Sequence, residues 1–254
     1  TYGEVLHRVQ YFASYLIREC NVQPGHIICQ CVERSIEMVI GILSIFTTGA
    51  IYCALSSTDP CNRLCSLIED AKAQLVLIHG QTRHKFIDLI NGEEVPVANI
   101  EEIIINEEMS SANEVNLLSN VHVTIEKIAY VIYTSGSTGQ PKAAQFDHKN
   151  FMSYMRSITS MNVTNKNDIV VQLTSSSFDH HMPEIAGCLI TGGTLLLLKP
   201  NGNHDMAYLT NIIQNNCATF IFIVPSLLSI LCDFLETHDS FNRIKTLRSV
   251  TSGG

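Results

Sequence analysis

Residues 130–142 read Tyr-Val-Ile-Tyr-Thr-Ser-Gly-Ser-Thr-Gly-Gln-Pro-Lys, an apolar run followed by four hydroxyl residues, two glycines and a lysine. These residue types suit a polyphosphate. Two glycines let backbone N–H groups turn toward one anion. Thr134, Ser135, Ser137 and Thr138 add hydroxyl donors, and Lys142 adds a positive charge. The spacing departs from a P-loop, which needs Gly-x-x-x-x-Gly-Lys-Ser/Thr. Here Gly136 and Gly139 are three apart, and Lys142 follows Pro141. A P-loop nucleotide hydrolase is therefore disfavoured. The apolar run predicts a strand and the next periodic segment a helix. That places the loop at the carboxyl end of a sheet, where open α/β folds bind ligands. On residue types alone, a solvated strand–helix turn explains the stretch equally well.

Other reactive residues have ordinary explanations at this level. Asp179 precedes a helical pattern and reads as an N-cap. His180 and His181 are adjacent and should point apart at the surface or a pocket rim. No carboxylate or cysteine sits at ligand spacing, so no metal site is expected. The nine cysteines include no CxxC pair; Cys29-x-Cys31 and Cys61-x-x-x-Cys65 lack matching partners. They read as buried free thiols in a reducing, cytoplasmic setting.

The elements around these residues alternate. Val5, Val9, Phe12, Ala13, Leu16 and Ile17 mark a first helix. A strand follows at 26–32, a helix capped by Ser35, a strand at 50–55, a helix started by Asp59-Pro60, and a strand at 74–79. Residues 91–119 are acidic and polar except for Ile103–Ile105, and read as a connection with one edge strand. Strands are then expected at 129–133, 169–173, 194–198 and 218–224. Helices are expected near 149–159, 182–191, 206–215 and 226–236, with a last strand entering a glycine turn at 247–254. Such alternation argues for an α/β fold with mixed, mainly parallel sheets covered by helices. Two subdomains are expected, at 1–120 and 121–254, the second carrying the phosphate loop. The abrupt ends suggest a fragment.

Composition narrows the partners. The chain is 46% hydrophobic and 16% charged, which suits a globular core. Its net charge of -8 disfavours nucleic acid as the main partner. The opening Thr1-Tyr2-Gly3-Glu4 is no secretory signal, and the most apolar stretch, 219–235, is broken by Pro225, Ser226, Ser229 and Asp233. No membrane association is expected.

Tyr133-Thr-Ser-Gly-Ser-Thr-Gly-Gln-Pro-Lys142 resembles the signature loop of the adenylate-forming (AMP-binding) enzymes, which include acyl-CoA synthetases, luciferases and the adenylation domains of nonribosomal peptide synthetases. Further blocks follow in the family's order. They are Thr1-Tyr2-x-Glu4, Glu33-Arg34-Ser35-x-Glu37-Met38, Gly49-Ala50-x-Tyr52-x-x-Leu55, Phe178-Asp179-x-x-x-x-Glu184, Gly192-Gly193-Thr194-Leu195 and Val224-Pro225-Ser226-Leu227-Leu228. Together they resemble the N-terminal part of a peptide-synthetase adenylation domain. The resemblance implies a ligase that joins an amino acid to ATP, releases pyrophosphate, and passes the acyl group to a phosphopantetheine thiol on a carrier domain of a larger synthetase. ATP and Mg²⁺ are the implied cofactors. Thr134, Ser135, Gly136, Ser137, Thr138, Gly139, Lys142 and Gly253 would face the nucleotide, with Lys142 and Thr138 nearest the chemistry. Asp179 would bind the substrate's ammonium group, and Pro183, Phe222, Val250 and Ser252 would wall its side chain.

Some residues depart from the family pattern. Ala143 stands where the loop usually has glycine, Ser56-Ser57 where Asp-Pro is usual, and Pro183 where tryptophan is frequent. Another carboxylic-acid or acyl-CoA ligase, or a non-catalytic remnant, remains as an alternative, and the fragment alone is expected to be inactive.

Overall fold

Local signals start the helices. In α1 (Tyr2–Arg18) the Thr1 hydroxyl accepts the Glu4 N–H at 3.3 Å, and the Glu4 side chain returns to the N-terminus in a capping box. Its stripe Val9, Phe12, Ala13 and Leu16 is buried and packs on α2 (Ile36–Thr47). There the Ser35 hydroxyl accepts the Met38 N–H at 3.2 Å. The computed structural model describes residues 1–92, 95–105, 117–134 and 141–253, which fall into two compact units, Thr1–Phe151 and Met152–Gly254.

The first unit holds a six-stranded sheet. Its strands are β1 (Ile27–Cys31), β2 (Ile51–Ala54), β3 (Leu75–Ile78), β4 (Val97–Asn99), β5 (Ile128–Thr134) and β6 (Lys142–Asp147), in the order β4-β3-β1-β2-β5-β6. All neighbours are parallel except β5 and β6. The inner strands are buried on both faces, so they are continuous apolar runs such as Leu75-Val-Leu-Ile78. Helices α3 (Cys61–Ala71), α4 (Ile87–Gly92) and α5 (Ile100–Ile105) lie between the strands, and α6 (His148–Ser160) follows β6.

The second unit is a four-stranded parallel sheet. It contains β7 (Ile169–Gln172), β8 (Thr194–Leu197), β9 (Phe220–Ile223) and β10 (Ser249–Ser252), in the order β10-β9-β7-β8. One face, with Val170, Phe220 and Phe222, packs with Cys188 of α7 (His181–Thr191). The other face, with Val171, Ile221 and Ile223, packs on α8 (Met206–Asn215) and α9 (Pro225–Thr237) through Leu209, Ile213 and Leu231. Asp168 fastens the strand entrances together. Its buried carboxylate takes a forked pair of bonds from Arg248, at 2.6 and 3.1 Å, and the Thr219 hydroxyl at 2.7 Å.

Four expectations change. The units divide at 151/152 rather than 120/121, because β5 pairs with β2 and its return strand β6 stays in that sheet. The acidic segment therefore falls within the first unit rather than at a boundary. Ile103–Ile105 belongs to helix α5, and the edge strand is Val97–Asn99. Pro60, not Asp59, is the N-cap of α3; the Asp59 carboxylate instead accepts from Arg63 Nε at 3.2 Å. An unexpected strand, β6, precedes the expected helix α6, and it pairs antiparallel with β5.

Candidate functional sites

The hairpin sets the geometry of the first candidate site. Thr134 and Lys142 are register partners at the loop end of the β5–β6 ladder, and the Thr134 hydroxyl donates to the Lys142 carbonyl at 3.3 Å. Both residues are exposed. The Lys142 ammonium pairs with no carboxylate among the described residues. Tyr133 alternates to the buried side and donates its hydroxyl to Asp70 on α3 at 2.7 Å, fixing the hairpin's root. Burial and that bond push the Tyr133 phenol well above its ordinary value. Ser135, Gly136, Ser137, Thr138 and Gly139 lie outside the described residues. Ala143 pairs with Tyr133 on regular strand and is not among the described residues with positive φ, so its methyl group brings no backbone strain. An exposed ammonium beside an exposed hydroxyl at a hairpin mouth fits a polyphosphate.

The second candidate site lies at the carboxyl end of β7, in the second unit. Glu184 on α7 organises it. Its buried carboxylate accepts the N–H groups of Leu173 and Thr174, the Thr174 hydroxyl at 2.8 Å and the Gln172 amide at 3.0 Å. Burial, only partly offset by these donors, leaves the Glu184 carboxyl raised to about 7. The clip joins the first turn of α7 to the end of β7 and so shapes the intervening turn. His181 completes it: the fully buried ring stands 2.5 Å from the Phe178 carbonyl through Nδ1. Burial lowers its pKa to about 4, so the ring is neutral at pH 7 and Nδ1–H donates. His181 is thus a core residue rather than a surface one. Glu184→Ala should leave two strand-end N–H groups unpaired and cost about 3 kcal/mol. Thermal denaturation should show a fall of roughly 10 °C; a melting point within 2–3 °C of the parent, roughly the size of an ordinary surface change, would remove the clip from the account.

Asp179 sits on this turn with its side chain 54% exposed, and its Oδ1 meets His180 Nδ1 at 3.1 Å. It does not cap α7; the N-cap position is His180, with no side-chain bond. The His180 ring lies flat on Phe222 of β9, with centroids 3.9 Å apart and planes at 13°. This stacked pair borders two hollows. The smaller one, about 100 Å³, is also lined by Thr174, Phe178, Asp179 and Gly253. The larger one, about 220 Å³, is also lined by Ile158, Pro183, Glu184, Phe220 and Thr251.

Asp179, Pro183, Phe222 and Gly253 therefore gather around one stacked pair. Val250 and Ser252 do not join them. Thr251 is the register partner of Phe222, so the pleat turns Val250 and Ser252 to the opposite face, and Val250 is 45% exposed. Thr251, Phe220 and the α6 residues take their place. Strict alternation along 249–252, once paired with 220–223, is the signal that finds Thr251.

A mainly parallel α/β sheet with a hydroxyl-and-lysine hairpin, accompanied by a parallel sheet with a carboxylate at its strand ends, is the architecture of adenylate-forming enzymes. The AMP-binding enzyme family matches residues 1–254, and the chain belongs to that family. It is 31% identical over 254 residues to zwittermicin A synthase ZmaJ of Bacillus cereus, covering 100% of this chain and 46% of that protein. It is 33% identical over 254 residues to tyrocidine synthase 3 of Brevibacillus parabrevis, covering 100% of this chain and 4% of that protein. The chain thus spans less than half the length of these relatives. Among solved structures, the nonribosomal peptide synthetase FmoA3 in its alpha-methyl-L-serine-AMP bound form superimposes with a TM-score of 0.84 at 25% identity, over 100% of this chain and 27% of that one. The chain is of the peptide-synthetase adenylation-domain type.

Proposed function

We propose that the protein carrying this chain activates an α-amino acid with ATP and hands the product to the phosphopantetheine thiol of a carrier domain in the same synthetase. The observation that carries this reading is the Asp179 carboxylate at the rim of a largely apolar hollow. A carboxylate there attracts a substrate ammonium and discriminates against acids that lack one. A carboxylate oxygen of the amino acid attacks the α-phosphorus of ATP. The bond from that phosphorus to the bridging oxygen breaks, and pyrophosphate leaves as the aminoacyl-adenylate forms. Lys142, Thr134 and the hydroxyls of Ser135, Ser137 and Thr138 hold the departing phosphates and offset their growing charge. Mg²⁺, when bound, would supply further neutralisation of that charge. Gly253 lines the smaller hollow, where its lack of a side chain leaves room for the adenylate. The relatives' peptide-synthetase character supports the carrier step.

The test is amino-acid-dependent exchange of radiolabelled pyrophosphate into ATP by the intact protein. Exchange with a panel of amino acids, and none with their des-amino analogues, is the expected result. Exchange only with the des-amino acids would assign the protein to the carboxylic-acid ligases instead, and no exchange with either would mark a non-catalytic remnant.

A further inference from the structure

We infer that Asp70, in the last turn of α3, is a positioning residue for the polyphosphate grip: through the Tyr133 hydroxyl it sets where the Thr134–Lys142 mouth of the hairpin stands. This rests on the ATP-dependent reaction proposed above. The need for such an anchor follows from the ladders. Among the described residues, β5 pairs with β2 at Tyr130 and Val131, whereas its ladder with β6 runs on through Ile132, Tyr133 and Thr134. The last three residues of β5 therefore overhang β2 and take their ladder partners from β6. Among the described residues that strand is the outermost of its sheet, and Lys142, Ala143 and Gln145 on it are exposed. A two-stranded ribbon is only marginally stable by itself, so the mouth that carries Thr134 and Lys142 needs a fixed point outside the ladder.

Tyr133 supplies it. The residue belongs to the core cluster that holds Leu64, Leu67 and Ile68 of α3. Its hydroxyl donates to Asp70 Oδ2 at 2.7 Å and stands 3.4 Å from the Leu67 carbonyl, one turn back on the same helix. Tyr133 immediately precedes Thr134, and its register partner Ala143 immediately follows Lys142, so one bond fixes both arms of the mouth. Asp70 itself is exposed and adds nothing to the core. The helix ends on Glu69-Asp70 with no basic residue in its last turn, although the negative end of a helix dipole favours cations there. A carboxylate set against the dipole and bonded beside Thr134 breaks a local rule where the site requires it.

Amino-acid-dependent pyrophosphate exchange by the intact protein tests this in Asp70→Ala, Tyr133→Phe, the double variant and Asp70→Asn. Each of the first two should raise the KM for ATP about tenfold, the effect of one hydrogen bond to a charged group. The kcat and the KM for the amino acid should stay near the parent's, because the grip holds ATP before and during attack. The double variant should be no worse than either single one, since both remove the same bond. Asp70→Asn keeps an acceptor oxygen and should return the KM for ATP to within about twofold of the parent's. Three results overturn the inference: a KM for ATP within about twofold of the parent's in both single variants, effects that multiply in the double variant, or equal rises in the KM for ATP and for the amino acid. In those cases exchange with amino acids still supports the proposed function; absence of exchange by the parent protein with every amino acid defeats both.

Discussion

Lys142→Ala in the intact protein should lower amino-acid-dependent pyrophosphate exchange by about 10²–10³-fold and raise the ATP concentration needed for half-maximal rate. The magnitude is that of removing one preorganised charge-stabilising group from the site of developing charge. Geometry makes Lys142 the suitable probe. Its side chain leaves an exposed position at the first residue of β6 and has no carboxylate partner among the described residues, so truncation removes a charge without opening a core. The ladder from Thr134–Lys142 to Ile128–Asp147 should still form, and unfolding by heat should be unchanged within about 0.5 kcal/mol. Unchanged exchange at limiting ATP would take the polyphosphate grip away from this hairpin.

Asp179→Ala should cut kcat/KM for α-amino acids about a hundredfold while leaving the affinity for ATP near that of the parent. A charge pair between a substrate ammonium and a protein carboxylate carries about 2–5 kcal/mol when it is withdrawn from water. The 54% exposure of Asp179 places this pair at the low end of that range. The loss should fall mainly on KM, since the ammonium is held equally before and during attack on phosphorus. The des-amino analogue should lose nothing. Equal loss with and without the amine would show that Asp179 shapes the turn instead, through its bond to His180.

Much of the scaffold is legible in the chain, for identifiable reasons. Buried parallel strands announce themselves as runs such as Phe220-Ile-Phe-Ile223, and the Thr1/Glu4 and Ser35 caps are local chemistry. What is not legible depends on pairing. Lys142-Ala-Ala-Gln-Phe-Asp147 has weak strand composition, and only its ladder with β5 makes it a strand. That one pairing also decides to which unit the glycine-rich loop belongs. The burial of His181 and the clip at Glu184 depend on α7 docking at the end of β7. Resemblance supplied Asp179, Pro183 and Phe222, which do cluster, and also Val250 and Ser252, which the register of β10 turns away.

That register carries a consequence for how substrate preference in such a site can change. With Phe222↔Thr251 paired, Thr251 is the β10 residue that lines the larger hollow. Loss or gain of one residue in the approach to β10 would present Ser252 or Val250 in place of Thr251, with no substitution at all. Under the amino-acid reading proposed above, wall composition is then a matter of parity, and a single-codon insertion upstream would recode it more thoroughly than an exchange of Thr251 itself.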